Sequence, residues 1–475
     1  MPSIEKKRVL PVIWEAIGRR NSCAMAFIVA GAFWFVTGAI YGLFSAIDLY
    51  APDFFHNIPW LVFSRVRPVH VNTVLFGFVT TTLIGCGLYY MPALLRTPLW
   101  SERLCWLGFL GWNSVILSGP FTFAFGMSQG REYTEYLWVF DVILEVTVLL
   151  VLFNLIMTVL SRREQTLSVG VWYFVGAFLW TAGTYPIGNV MWHPSTGATS
   201  GILDSLFLWY WGHNLPGLLL TPLAVGPLFF VVPRITRTPI YSHTLSLIGF
   251  WSLVALYTHI GGHHLLQAPV PTWLKTMSVI SSLGMMIPVF VVLTNIWLTA
   301  RQKGGLLLHD PAGRFVLAGT LWYLVTCIQG PLQSLPSVQR VTHFNNWTIG
   351  HSHIAVLGFA GFIALGTMWH IVPLITGRRV YSAKLINLQF GLIMFGLGGF
   401  FTVLTAAGLV QGSSWDNGET VYRVLSTLPP YMWLRLLSGL FIIAGAFVGL
   451  SNLLATIYRG QPHDAPNVLE EPFLE

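Results

Sequence analysis

The chain has 475 residues, of which 54% are hydrophobic and only 9% charged. A soluble domain carries about 25% charged residues, so this composition excludes a soluble enzyme, with or without a single anchor, and points to an all-α membrane protein that crosses the bilayer many times. The formal net charge of +7 does not indicate a nucleic-acid surface; its placement along the chain follows loop orientation.

A membrane span needs about 20 apolar residues. Twelve such segments are predicted, near 22–48, 70–95, 102–126, 134–161, 167–188, 203–232, 241–267, 273–299, 314–338, 345–376, 384–411 and 430–458. The first follows a charged start (Glu5, Lys6, Lys7, Arg8, Arg19, Arg20) and is itself span-length, so it reads as a span and not as a cleavable signal. With the N-terminus cytoplasmic, 18 of the 25 lysines and arginines fall on the inside. That asymmetry predicts both termini inside. The expected organisation is one catalytic domain over 1–475: a cytoplasmic segment 1–21, a twelve-helix bundle 22–458 and a cytoplasmic tail 459–475. The four cysteines (Cys23, Cys86, Cys105, Cys327) form no C-x-x-C pair and no haem-attachment motif, and are expected to be four buried thiols. Asp141 and Glu145 share one face of the fourth span, either as a structural pair, a polar path or a subunit contact.

Six of the fourteen histidines lie at membrane depth: His70 opening the second span, His213 in the sixth, His263 and His264 in the seventh, His351 and His353 in the tenth. A polar residue inside a span is costly unless paired and is a functional hypothesis by default. One imidazole alone is better explained by an interhelical hydrogen bond; six on four spans shift the balance toward metal ligation. Successive residues turn about 100° around a helix, so His351 and His353 project to nearly opposite faces and serve different metals. His263 and His264 follow Gly261-Gly262, where the backbone can distort, and can converge on one ion with His213. The set divides into His70 plus one of the 351/353 pair, the other of that pair alone, and a three-histidine site. This pattern suggests a six-coordinate haem, a five-coordinate haem with an open position, and a copper.

These residues resemble the haem–copper oxidase superfamily, most closely the catalytic subunit of its cbb3-type (C-family) cytochrome c oxidases. The resemblance is carried by FSRVRPVHVNTV (63–74), WYWGHNLPG (209–217), IYSHTLSLIGFW (240–251), YTHIGGHHL (257–265), DPAGRF (310–315) and NWTIGHSHIAVLGF (346–359). It implies a twelve-helix subunit I fold in a bacterial inner membrane. It implies that His70 and His353 are the axial ligands of a low-spin haem b, that His351 is the proximal ligand of a high-spin haem b3, and that His213, His263 and His264 hold the copper facing it. Arg65 and Arg67, beside His70, become candidate partners for haem propionates. The implied reaction is the four-electron reduction of O2 to water, with Tyr257, six residues before the histidine pair, as the catalytic phenol. Gly217 stands where other oxidases carry that tyrosine and related nitric oxide reductases a glutamate, which argues against both.

The family pattern breaks at three positions. Gln329 replaces a glutamate before the ninth-span Gly-Pro, Asn346 replaces an aspartate before Trp-Thr, and Phe229 replaces a tyrosine of the proton route. Thr221 and Ser246 match hydroxyl positions of that route. Reduced proton pumping is therefore expected. The alternative reading is a nitric oxide reductase or another gas-converting branch. A haem-bearing sensor or electron conduit without copper is the non-enzymatic one. Electrons are expected from membrane-anchored c-type cytochrome subunits, since no haem c site is present in the sequence.

Overall fold

The computed structural model describes residues 18–463. The predicted cytoplasmic segment up to residue 17 and the tail from residue 464 lie outside the described residues. Twelve helical stretches coincide with the twelve predicted segments. They are α1 (Ser22–Tyr50), α2 (Phe63–Leu94), α3 (Glu102–Ala124), α4 (Trp138–Leu160), α5 (Val169–Gly188), α6 (Ile202–Thr236), α7 (His243–Tyr257), α8 (Thr272–Ala300), α9 (Pro311–Gln333), α10 (Asn346–Thr376), α11 (Ala383–Asp416) and α12 (Pro429–Arg459). Ten are long and apolar enough to cross a membrane; α5 and α7 are not among them. The seventh predicted segment is not one continuous helix. It stops at Tyr257, and the chain tightens into a 3-10 turn over Ile260–Leu265.

Several helix starts are set by short polar side chains that accept a first-turn N–H, as helix caps do. Ser101 accepts from the Leu104 amide at 3.1 Å, Ser242 from Leu245 at 3.2 Å and Asp310 from Gly313 at 2.8 Å. The helices sort into two layers. In α2, α6 and α10 the apolar core stretch is 89%, 89% and 83% buried, against 33–44% in α3, α4, α8, α9, α11 and α12. The three inner helices are the ones that carry His70, His213 and the 351/353 pair.

Each inner helix also changes its winding just after its histidine. The backbone widens from α to π over Thr73–Thr80, Leu215–Leu220 and Ile354–Gly361. Threonine hydroxyls follow the wider spacing: Thr80 donates to Leu75 O at 2.8 Å, Thr81 to Phe76 O at 2.6 Å and Thr221 to Pro216 O at 2.8 Å, each five residues back. Such π turns are uncommon and concentrate at functional sites. Here they shift the helix register directly beside the histidine-bearing turn.

The expectation of four free thiols is corrected. Cys23 and Cys105 form a disulfide between the first turns of α1 and α3, with their Cα atoms 6.2 Å apart. Only the fold brings them together, from 82 residues apart in sequence. Glu102 ties the same ends by accepting from the Asn21 amide at 2.7 Å and the Cys23 amide at 3.3 Å. Trp106 Nε1 adds a bond to Ser22 Oγ at 2.9 Å. Cys86 and Cys327 remain thiols.

Candidate metal centre

The ligand atoms of His213, His263 and His264 all lie within 4.8 Å of one another. His213 Nδ1 and His264 Nε2 are 3.0 Å apart, so His213 faces the shared point with Nδ1 and His264 with Nε2. His263 is fixed by a 2.7 Å bond between its Nδ1 and Ser282 Oγ, which leaves Nε2 for a metal. The 3-10 turn that presents the pair needs both preceding glycines. A Cβ on Gly261 would collide with Trp209 O on α6, and one on Gly262 with Ser278 Oγ on α8. Gln339 Nε2 anchors the turn from outside by donating to His263 O at 2.8 Å. A compact, largely interior set of three imidazoles suits copper.

His70 and His353 face each other with ring centres 6.2 Å apart and planes within 19°. Two metal–nitrogen bonds of about 2 Å each, extended by the ring radii, span roughly 6 Å, so the pair fits one metal between them. Their Nδ1 atoms bond to backbone carbonyls, Gly38 O and Ile349 O, each at 2.8 Å. Those bonds fix the tautomer and leave both Nε2 atoms as ligands. Gly42 gives His70 room: a Cβ there would stand 2.8 Å from His70 Cε1. His351 points the other way from α10. Its Nδ1 meets Gln329 Oε1 at 3.3 Å, and Trp347 stacks parallel to its ring at 5.7 Å. The i, i+2 spacing therefore does what helix geometry predicts, and the residues present fit two haems and a copper.

The arginines divide differently from expectation. Arg67 is paired within the chain, with Glu132 and, at 3.9 Å, Glu135. Glu135 also accepts from Asn72 Nδ2 at 2.6 Å. Burial pushes the Glu135 carboxyl up to about 7, against the opposing effect of that hydrogen bond. Arg65 reaches Phe123 O at 3.4 Å. Arg435 is not among the site residues expected from the sequence. It is on α12, its Cζ lies 5.3 Å from the Phe400 ring centre, and Phe400 packs on His353 at 4.3 Å. Its Nε is buried with no hydrogen-bond partner. A guanidinium beside the His70/His353 gap suits a haem carboxylate. The available signal was a charge six residues into an apolar run.

Tyr257 lies flat against His213, with ring centres 5.1 Å apart and planes within 15°. Gly217 explains its own identity: a Cβ there would overlap the Tyr257 ring. The missing side chain on α6 is the space that the phenol from α7 occupies. Asn346 donates from both its backbone and its side chain to Gln411 Oε1, at 3.0 and 2.6 Å, an arrangement an aspartate could not complete. Ser246 Oγ accepts from Asn295 Nδ2 at 2.9 Å and donates to Ser242 O at 3.1 Å. Asp141 accepts from the Tyr185 hydroxyl at 2.5 Å and from Gln129, while Glu145 keeps one buried oxygen without a partner.

Over residues 22–441 the chain matches the family described as cytochrome c and quinol oxidase polypeptide I. It is 30% identical over 463 residues to a cytochrome c oxidase subunit 1 homolog from Agrobacterium tumefaciens (strain T37), covering 94% of this chain and 86% of that one. It is 29% identical over 451 residues to the cbb3-type cytochrome c oxidase subunit CcoN1 of Stutzerimonas stutzeri, covering 92% and 94%. Its fold matches a solved haem–copper terminal oxidase dimer with a TM-score of 0.78 at 18% identity, over 96% of this chain and 86% of the other.

Proposed function

We propose, for a chain that belongs to the cytochrome c and quinol oxidase polypeptide I family, that it is the catalytic subunit of a cbb3-type terminal oxidase reducing O2 to water. It is a multi-pass membrane oxidase subunit. In the finer reading it is one catalytic domain of twelve crossings with both termini cytoplasmic, in a bacterial inner membrane. When bound, a low-spin haem b, a high-spin haem b3 and a copper ion supply electron transfer and the reducing centre.

The chain's own part is to hold and orient. His70 and His353 would hold haem b, His351 haem b3, and His213, His263 and His264 the copper. The i, i+2 pair on α10 would hold both haems from one helix. Arg65, Arg67 and Arg435 would hold propionates, with Arg67 buttressed by Glu132. Tyr257 Oη would hold the proton and electron that the last step of O–O cleavage draws on, and its packing on His213 keeps it beside the copper. Thr221 and Ser246 mark the inner proton path. Gln329, Asn346 and Phe229 remove ionisable groups, which supports reduced proton pumping. Membrane-anchored c-type cytochromes would bring electrons to the His70/His353 side.

The observation that carries this reading is Tyr257 stacked on His213 over Gly217. A phenol in that place suits oxygen reduction, and neither it nor Gly217 suits nitric oxide reduction. Purified complex given O2 and NO under the same electron supply should consume O2 faster, and Tyr257→Phe should abolish O2 consumption. Faster NO consumption that survives Tyr257→Phe would install the nitric oxide reductase reading instead. In vesicles, outward proton ejection that Gln329→Glu, Asn346→Asp and Phe229→Tyr together do not increase would contradict reduced pumping.

A further inference from the structure

Phe229 cannot relay a proton, yet the inner path still has to reach Tyr257. The ring that stacks on Phe229 is a phenol. Tyr173 of α5 lies parallel to Phe229, with ring centres 6.0 Å apart and planes within 19°. We propose, resting on the oxidase reading, that Tyr173 is the proton-relay residue of this chain and supplies from α5 the hydroxyl that α6 lacks at position 229.

Three observations place it on the route. First, Tyr173 is fully interior, 1% exposed, and a second ring, Phe250, meets it edge-on at 5.2 Å. A buried phenol hydroxyl is costly unless it is hydrogen-bonded, by protein or by water. Second, its hydroxyl reaches α7. Tyr173 Oη lies 3.4 Å from where a Cβ on Gly249 would stand. Gly249 is three residues beyond Ser246, on the same face of α7 and toward Tyr257. Ser246 is itself hydrogen-bonded to Asn295 of α8, so the polar track runs from Asn295 and Ser246 to the Tyr173 hydroxyl. Third, Tyr323 of α9 is another buried phenol of the interior, 3% exposed. From Ser246 the helix leads past the Tyr173 hydroxyl at Gly249 toward Tyr257, and water can link hydroxyls that do not touch. Each transfer passes one proton inward and receives one from below, so no group changes its net protonation over a turnover.

The backbone accommodates the swap. Gly170, one turn before Tyr173, has a Cβ position 3.3 Å from Phe229 Cβ and 2.9 Å from Gly226 O, so α5 and α6 are in close contact there. A tyrosine at 229 and one at 173 would be alternative sources of the same hydroxyl on two facing rings.

The test uses the complete, cofactor-loaded complex in three forms: Tyr173→Phe, Phe229→Tyr and the double variant. Proton uptake from the inner side during a single turnover is followed with a pH dye, beside haem reduction by the donor. Tyr173→Phe should slow proton uptake on the order of tenfold, with haem reduction and optical spectra unchanged. Adding Phe229→Tyr should restore at least part of the rate, which mere repacking would not do. Unchanged uptake in Tyr173→Phe, or slowed uptake that Phe229→Tyr leaves slow, would overturn the relay. A wild-type complex that takes up no O2 would instead overturn the oxidase reading, and this inference with it.

Discussion

The inner helices α2, α6 and α10 and the peripheral helices such as α4 and α11 are similarly apolar, but they do opposite work. The inner three are 83–89% buried, carry four of the six candidate ligand histidines and each break into π winding just past one of them. The peripheral ones are 33–44% buried and turn large side chains outward, such as Leu149 and Phe153 on α4. Hydropathy alone does not separate them. What separates them is the cost of a polar group at depth: on the inner helices His70, His353 and His351 each hold a second bond, with Gly38 O, Ile349 O and Gln329.

Breaking an inner ligand should have the largest effect. His353→Ala should remove the low-spin haem signal and reduce turnover to background, while the high-spin haem stays detectable through His351. Loss of both haem signals together would mean that α10 holds them as one unit. Next comes the space beneath the phenol. Gly217→Ala forces its methyl into the Tyr257 ring, and turnover should fall on the order of 100-fold, as for an ångström-scale misplacement, with haem and copper content retained in metal analysis. A smaller effect is expected where only a second bond is lost. Gln329→Leu should lower the iron–histidine stretching frequency in resonance Raman and reduce activity by up to about tenfold, whereas Gln329→Glu, which keeps an acceptor oxygen, should not lower the frequency. The peripheral control should be nearly silent. Phe153→Ala on α4, half exposed, should change thermal stability by about 0.5 kcal/mol or less and leave turnover intact. A large loss there would mean that this face is covered by a partner subunit.

Much of the site was legible before the fold, and the reason is local geometry. His351 and His353 could be read as facing two different directions because two residues cover about 200° of a helix, and their contacts lie on different elements. Gly261-Gly262 announced a distorted turn ahead of His263 and His264, and the structure places a 3-10 turn there. The rest depended on contacts between segments far apart in sequence. Cys23 meets Cys105 only because α1 and α3 start side by side. Arg435 enters the His70/His353 neighbourhood only because α12 packs along α1 and α11. Gly217 looked like a missing residue and is the floor under a ring from another helix. The π stretches had no signal in residue spacing, because their apolar pattern reads as ordinary span.

The central claim is that six histidines hold two different haems and one copper. It is tested most directly by metal and haem analysis of the purified complex, with the contribution of partner haem c subtracted, combined with CO binding to the reduced form. The expected result is two b-type haems and one copper per copy of this chain, with one of the two haems binding CO and the other not. Two haems without copper, or two haems that both bind CO, would contradict it.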